Sequence, residues 1–319
     1  SIRIKPVPLV LHAPNAADPE NFRAAAAAAM NGFRKRYRDY FKVNNAKSPV
    51  KKIRLDDSPR VILVPGVGLF GVGNDAKSAA IAADLAETTV DVTSAAEAVG
   101  RFESISKYDQ FEIEYWSLEQ AKLGKGQEKP LARQVAVVTG AGGTIGRSIS
   151  ASFRAAGADV ALLDKDAKAV SAAAAAVGGL GIATDVTDPQ SVEAAFRQII
   201  EALGGVDILI SNAGAAWQGR MDIVEDKVLR ESFELNFFAH QNVASRAVRI
   251  MRSQGTGGVL LFNISKQAVN PGTDFGPYGL PKAATMALMR QYAVEFGDDG
   301  IRSNAVNADR IKSGLLSED

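Results

Sequence analysis

The chain contains no cysteine. That excludes disulfides, thiolate nucleophiles and cysteine-ligated zinc. Its only two histidines, His12 and His240, lie far apart in sequence, so a three-histidine metal site is excluded and no metal ligands are assigned. No uninterrupted apolar run approaches the ~18 residues that a membrane-spanning helix requires. Charge of one sign is not in excess either. Lys and Arg number 37 against 36 Asp and Glu, for a net charge of +1, which gives no electrostatic reason to expect nucleic acid or an anionic membrane as partner. The opening SIRIKPVPLV lacks the organisation of a signal peptide. The expectation is a soluble, cytoplasmic protein whose partner is a small molecule.

What is present is ample apolar material, 46% of 319 residues, enough for about two domains. Residues 1–17 read as an extended entry. Asp18-Pro19-Glu20 reads as a helix start, with Asp as cap, Pro in the first turn and an acid near the dipole, and a helix should run to about Phe41. Phe22, Met30, Phe33, Tyr37, Tyr40 and Phe41 fall mostly on one face of it, and Arg34, Lys35, Arg36 and Arg38 read as a solvated face. Gly66, Gly68 and Gly71 then fit G-x-G-x-x-G, between a strand and a helical pattern from Ala76 to Val99. Pro65 interrupts the strand–turn junction and Asp91 lies inside the helical pattern, so the expectation there is structural glycine at a tight turn. Residues 101–121 read as a short helix, and residues 123–134 as a linker. The boundary falls near Lys129, giving units 1–128 and 129–319.

Beyond it, apolar strands at 134–139, 158–163, 179–184, 206–211, 257–264 and 301–306 alternate with helices at 145–156, 166–177, 188–203, 223–253 and 276–298. Near-continuous apolar strands alternating with helices specify an α/β fold, a doubly wound parallel Rossmann sheet with its ligand at the strands' carboxyl ends. The stretch QVAVVTGAGGTIG, residues 134–146, combines a buried strand, a glycine turn and a helix start. Gly140, Gly143 and Gly146 leave room for a pyrophosphate at the helix N-terminus. Asp164, ending the next strand, supplies the acid wanted about 20 residues on. Its carboxylate can accept from both adenine-ribose hydroxyls and would repel a 2′-phosphate, so NAD is expected in preference to NADP.

Tyr278 and Lys282 stand four apart, and Ser265 lies 13 positions before Tyr278 at the end of the strand GVLLFNIS. On a helix the pair shares one face. An adjacent ammonium favours phenolate, and a serine hydroxyl can hold a substrate oxygen. Tyrosine and lysine also pair on helices for ordinary reasons, and Pro281 between them is tolerable only in the first turn.

Taken together, residues 130–319 resemble the short-chain dehydrogenase/reductase family. Asp185-Val186 follows the third strand, Ser211-Asn212-Ala213-Gly214 ends the fourth, Asn236 lies in ELNFFAH, and Ile301 to Asn307 is similar to the sixth strand. The resemblance implies Tyr278 as acid/base, Lys282 as its partner and ribose ligand, Ser265 as substrate orienter and Asn236 in a proton relay. It implies a cofactor site of Gly140, Gly143, Thr144, Ile145, Gly146, Asp164, Asp185, Val186, Asn212, Ala213 and Gly214, with Tyr278 and Lys282. It also implies a homo-oligomer built on the two long helices, and substrate near Trp217, Gln218, Asn270 and Phe275. Thr144 stands where many members have glycine, and Ala308-Asp309 where they have Pro-Gly. The family continues past the equivalent of Asp319, so a C-terminal truncation is expected.

Residues 1–127 resemble the carboxyl-terminal part of a class II, metal-dependent aldolase, through VILVPGVGLFGVGNDAKSAAIAADL and FEIEYWSLEQAKL. That order resembles the bifunctional rhamnulose-1-phosphate aldolase/lactaldehyde dehydrogenase type, and it implies a partial α/β aldolase-like segment without its metal site. His12 is expected at the surface. The expected function is hydride transfer between NAD and a small aldehyde or secondary alcohol. The rival expectations are a ketose-phosphate aldolase and a nucleotide-binding fragment without turnover.

Overall fold

The computed structural model describes residues 2–121 and 128–309. The chain forms two compact units, residues 1–128 and 129–319. Part of the expected linker lies outside the described residues.

In the first unit, helix α1 runs Pro19–Lys47, with the Asp18 side chain accepting from the Asn21 N–H, as the cap sequence requires. Strand β1 (Leu9–Val10) lies parallel to β2 (Val61–Val64), inside the stretch expected to be only extended. β2 then turns back antiparallel into β3 (Gly68–Gly71). The glycine-rich stretch is therefore a β-hairpin, and no helix opens at its turn. Gly66 and Gly68 hold φ of +78° and +147°, conformations that a side chain disfavours. Helix α2 (Ala76–Val99) follows, and two short helices, α3 (Lys107–Glu114) and α4 (Ser117–Ala121), replace the single one expected. His12 is exposed.

The buried polar cluster of this unit is internally paired. Glu114 accepts from the hydroxyls of Tyr37 at 2.7 Å and Tyr40 at 3.2 Å, and the Tyr37 and Tyr115 hydroxyls lie 2.8 Å apart. Lys5 Nζ sits 3.5 Å from the Tyr37 ring centroid. Burying a carboxylate costs less when two hydroxyls donate to it. On α1, Arg34 and Arg38 both face Asp57.

The second unit is a six-stranded, fully parallel sheet. In chain order its strands are β4 (Val135–Thr139), β5 (Asp159–Asp164), β6 (Leu180–Ala183), β7 (Ile208–Ser211), β8 (Gly258–Ser265) and β9 (Ile301–Ala308). Their spatial order is β6-β5-β4-β7-β8-β9. The order reverses between β4 and β7, and that switch point is where doubly wound sheets bind ligand. Helices α5 (Thr144–Ala155), α6 (Ala167–Val177), α7 (Pro189–Leu203), α8 (Asp226–Phe233), α9 (Ala239–Gln254) and α10 (Gly276–Glu295) connect the strands. β4 is buried at every residue because the sheet is covered twice. Val135 and Val137 face a core with Phe196, Val243 and Leu260, while Ala136 and Val138 face one with Val170 and Ala173.

Two helical expectations need correction. The helix expected over 223–253 is broken by a π-helical turn at Glu234–Phe238, with Asn236 at its centre. The Asn236 carbonyl accepts from the Thr285 hydroxyl at 2.6 Å, an outside partner of the kind that supports a widened turn. Pro281 lies inside α10 beyond its first turn, not within it. Its missing N–H is tolerated where α10 is held by other elements.

The core generates a stability prediction. Phe196 is wholly buried. Phe196→Ala should cost about 3–5 kcal/mol. In a Trp116→Phe background, Trp217 alone reports on the second unit. The urea midpoint read from its fluorescence should fall correspondingly, and an unchanged midpoint would contradict this core assignment.

Candidate active site

The site is assembled on the carboxyl ends of β4, β7 and β8. Thr139 Oγ1 accepts from the backbone N–H groups of Asn212 at 2.8 Å and Ala213 at 3.0 Å. Asn212 Nδ2 donates back to the Thr139 carbonyl at 2.9 Å, and Asn263 Nδ2 donates to Asn212 Oδ1 at 2.8 Å. Three strand ends are thereby tied into one rim.

On that rim the glycine turn opens α5. A Cβ added to Gly146 would stand 2.2 Å from the Gly140 carbonyl oxygen, so glycine alone lets the helix begin this close to the turn. Gly143 caps α5 without a side-chain acceptor. The N–H groups of the first turn, at Thr144, Ile145 and Gly146, suit phosphate oxygens. The cradle therefore fits a dinucleotide. Asp164 ends β5 with one carboxylate oxygen accepting from Gly142 N–H at 2.9 Å and the other from Asp166 N–H at 3.0 Å. It fixes the turn while keeping further lone pairs. Arg147 Nη2 donates to the Gly142 carbonyl at 3.1 Å. The glycine turn itself has no basic residue, but the fold brings this guanidinium back onto it.

Asp185 directs its carboxylate into its own turn, accepting from Thr187 N–H at 2.9 Å and Thr187 Oγ1 at 2.6 Å. Those bonds hold the carboxyl below its usual range. Val186 is buried, with its carbonyl accepting from Asn242.

The residues expected to handle protons converge where β8 meets α10. Ser265 is the last residue of β8, beside Ala308 of β9. Its hydroxyl accepts from the Gln267 N–H at 3.3 Å and is close enough to Tyr278 to act on the phenol. Lys282 is 2% exposed and donates through Nζ to the Asn263 carbonyl at 3.1 Å. Its Nζ lies 5.8 Å from the Tyr278 ring centroid. Asn236 donates through Nδ2 to the Ala215 carbonyl at 2.8 Å and to Ser232 Oγ at 3.1 Å, while its buried Oδ1 meets no partner among the described residues. A Cβ placed on Gly214 would lie 2.9 Å from Asn236 Oδ1 and 3.2 Å from Lys282 Nζ, so Gly214 lets both groups reach one place. Asp309, next to Ala308, pairs with Lys266 at 2.8 Å.

Burial brings the Lys282 ammonium down to about 7. Burial raises the Tyr278 phenol, and the Ser265 hydrogen bond pulls it partly back. The lowering of Tyr278 expected from Lys282 depends on the lysine carrying its charge. The lysine is itself pressed towards its neutral form, and a neutral amine stabilises no phenolate.

Sequence reasoning missed Thr139, Arg147, His240, Asn263 and Thr285. Some signals existed. His240 is four residues past Asn236 on a helical path, and Asn263 is two before Ser265 on a strand, so each shares a face with a residue already singled out.

A short chain dehydrogenase family model matches residues 134–319. The chain belongs to the short-chain dehydrogenase family. Members of this oxidoreductase family use NAD(H) or NADP(H). A model for the second domain of class II aldolase matches residues 1–123. The uncharacterized oxidoreductase YuxG of Bacillus subtilis is 29% identical over 98% of this chain, which spans 46% of that relative's length. The 7alpha-hydroxysteroid dehydrogenase of Escherichia coli is 33% identical, covering 57% of this chain and 75% of its own. Among solved structures, the 3-ketoacyl-(acyl-carrier-protein) reductase of Brucella melitensis complexed with NADH has a TM-score of 0.56 at 25% identity, covering 57% of this chain and 78% of that one.

This short-chain dehydrogenase geometry predicts a pH effect. With Tyr278 as the base of an alcohol oxidation, the rate would rise with pH through the tyrosine's pKa. Burial raises that pKa, and Ser265 offsets part of the rise. Ser265→Ala should move the ascending limb of kcat/KM to higher pH as well as lowering kcat. A limb that stays in place would show that Ser265 does not act on Tyr278.

Proposed function

We propose that residues 129–319 transfer hydride between NAD and a small aldehyde or secondary alcohol, lactaldehyde-like, as the dehydrogenase half of a bifunctional aldolase/dehydrogenase. The observation that carries the reading is the convergence of Ser265, Tyr278, Lys282 and Asn236 at the switch-point rim beside the glycine cradle. The aldolase match directly ahead of the dehydrogenase match supports the bifunctional part.

Thr144, Ile145 and Gly146 would hold the pyrophosphate, Asp164 the adenine ribose, and Lys282 the nicotinamide ribose. Asp185, Val186, Asn212, Ala213 and Gly214 would line the remaining cofactor path. When bound, NAD supplies the hydride acceptor. Ser265 positions the substrate oxygen, and Tyr278 takes the hydroxyl proton as hydride departs. For an aldehyde, the hydrated gem-diol presents the same hydroxyl to Tyr278. The loop through Trp217 and Gln218 is tied to the one through Asn270 and Phe275 by the Gly219 N–H donating to the Asp274 carbonyl at 2.8 Å. That bond supports a substrate pocket between the two loops. We assign a homo-oligomer on α9 and α10, where Val294 is left 81% exposed.

Tyr278→Phe tests the reading. General acid–base catalysis contributes about 10²–10⁴-fold, so hydride transfer should fall by that order while NADH binding, followed by fluorescence, persists. A phenylalanine variant that kept most of its activity would remove Tyr278 from this role.

Cofactor choice is tested separately. A 2′-phosphate would meet the Asp164 carboxylate, and about 2 kcal/mol of discrimination corresponds to roughly thirtyfold in affinity. Arg147, on the first turn of α5, favours the other cofactor, and its guanidinium already donates to the Gly142 carbonyl. Calorimetric titration should show NAD bound more tightly than NADP, with the preference relaxed in Asp164→Ala. Equal affinities in the parent chain would overturn the assignment.

A further inference from the structure

His240 is one of the two histidines of the chain, is 1% exposed, and has no part in the hydride-transfer scheme above. Its ring connects two elements of the site. Nε2 lies 3.3 Å from Lys282 Nζ, and Nδ1 lies 2.6 Å from Ser211 Oγ. Ser211 is the last residue of β7, immediately before the Asn212–Gly214 turn. The ring is therefore a rigid spacer between the end of β7 and the buried lysine on α10.

The tautomer follows from the donors. While Lys282 carries its proton it only donates, so Nε2 then accepts from it. A neutral ring that accepts at Nε2 carries its proton at Nδ1, and Nδ1–H then donates to Ser211 Oγ. A ring protonated at both nitrogens would set two cations together in a dry site. Burial, and secondarily the Lys282 charge, hold the imidazole well below its ordinary pKa, so it stays neutral. The surroundings present no competing charge. β7 offers the Ser211 hydroxyl, β8 the Phe262 ring with its centroid 6.1 Å away, and α10 offers Lys282, the one charged group acting on the ring among the described residues. Tyr278 is a further titratable group of α10, with its ring centroid 5.8 Å from Lys282 Nζ. On its own helical path the ring has Asn236 one turn earlier, a neutral amide.

We propose that His240 is a positioning residue of this active site, acting through Lys282: its Nε2 accepts a hydrogen bond from the ammonium, fixes where Nζ sits, and favours the charged lysine over the neutral one. The proposal rests on the dehydrogenase reading for its kinetic consequence but not for its geometry. An ammonium this deeply buried needs acceptors. Asn263 supplies one carbonyl and His240 supplies the second, leaving the third N–H for the cofactor side. Without His240 the lysine is driven further towards neutral, and the cation that would favour the Tyr278 phenolate is lost.

Two measurements on the full chain test this. In the first, the pH profile of kcat/KM for alcohol oxidation is compared in the parent, His240→Leu and His240→Gln. The leucine removes the acceptor at similar volume, and the glutamine Oε1 restores one near the Nε2 position. His240→Leu should displace the ascending limb upward by about one pH unit and lower kcat more than it raises KM, and His240→Gln should bring the limb most of the way back. A residue that merely filled space would change thermal stability and leave the limb where it was, and that outcome overturns the proposal. The second measurement needs no turnover and no destabilised variant. With only two histidines, ¹⁵N imidazole spectra of the labelled protein are assigned by comparison with His12→Gln. His240 should show a protonated Nδ1 and an unprotonated, hydrogen-bonded Nε2 that does not titrate between pH 5.5 and 8, about the span in which an unperturbed histidine would. Its Nε2 signal should shift in Lys282→Met. An Nε2–H tautomer, or an ordinary histidine titration, overturns the proposal even if the enzyme turns over. Conversely, a confirmed tautomer with no loss of activity in Tyr278→Phe would separate the two readings.

Discussion

A lysine ammonium with 2% exposure is the constraint around which the catalytic end of the sheet is arranged. A buried cation is tolerated only where acceptors replace its water. Here they come from two directions: the Asn263 carbonyl on β8 and the His240 ring on α9. Meeting that need fixes α10 against β8 and the start of α9 against both. Further bonds depend on the same placement. Thr285, three residues past Lys282, reaches the Asn236 carbonyl, and Asn263 reaches Asn212 on the neighbouring strand end. Lys282, His240, Ser211, Asn263, Asn212 and Thr139 thus form one hydrogen-bonded set, in which moving any member leaves a partner unpaired.

The same burial works against the role proposed for the lysine. Desolvation brings Lys282 to about 7 and raises Tyr278. A charged lysine would lower the tyrosine, but burial is what discourages the charge. The resolution available to the chain lies in hydrogen bonds to the charged form, from the Asn263 carbonyl and the His240 ring, together with the Ser265 hydroxyl on the phenol itself. Water exclusion strengthens each of these, because a hydrogen bond in a low-dielectric site is worth more than one in water.

The fold of the second unit was legible because burial on both faces leaves a plain mark. Five consecutive apolar or small residues in β4 and the alternating helices could form little but a covered parallel sheet. The glycine turn and the Tyr278–Lys282 spacing were readable because each lies within one short stretch of chain, and Asp164 and Ser265 because each closes a readable strand. What escaped was whatever arises between elements. Thr139 looked like a strand end, and its hydroxyl bond to the Asn212 turn spans 73 positions. His240 looked like a lone histidine in a helix, although its two partners lie 29 and 42 positions away. The π turn at Asn236 has no residue pattern of its own, since its cause includes a hydroxyl on α10. In the first unit the three glycines satisfied a dinucleotide pattern and formed a hairpin. The spacing was met, but it carries meaning only when a helix opens at the turn.

Asn236 shows why such a turn is placed here. In an unbroken α-helix its carbonyl would be committed to the ladder, and its side chain would project along the ordinary helical face. The widened turn presents the carbonyl to Thr285 and leaves the amide group at Gly214. The amide nitrogen is spent on Ala215 and Ser232, so the group cannot be rotated without breaking both bonds. That fixes Oδ1 as the free acceptor and keeps it beside the lysine across Gly214. A buried acceptor without a partner costs about 1–3 kcal/mol. It persists because the surrounding bonds over-determine its orientation, and strained or unsatisfied groups held in that way concentrate at functional sites. The orphaned oxygen and the buried lysine thus both approach Gly214, whose missing side chain leaves room for the two.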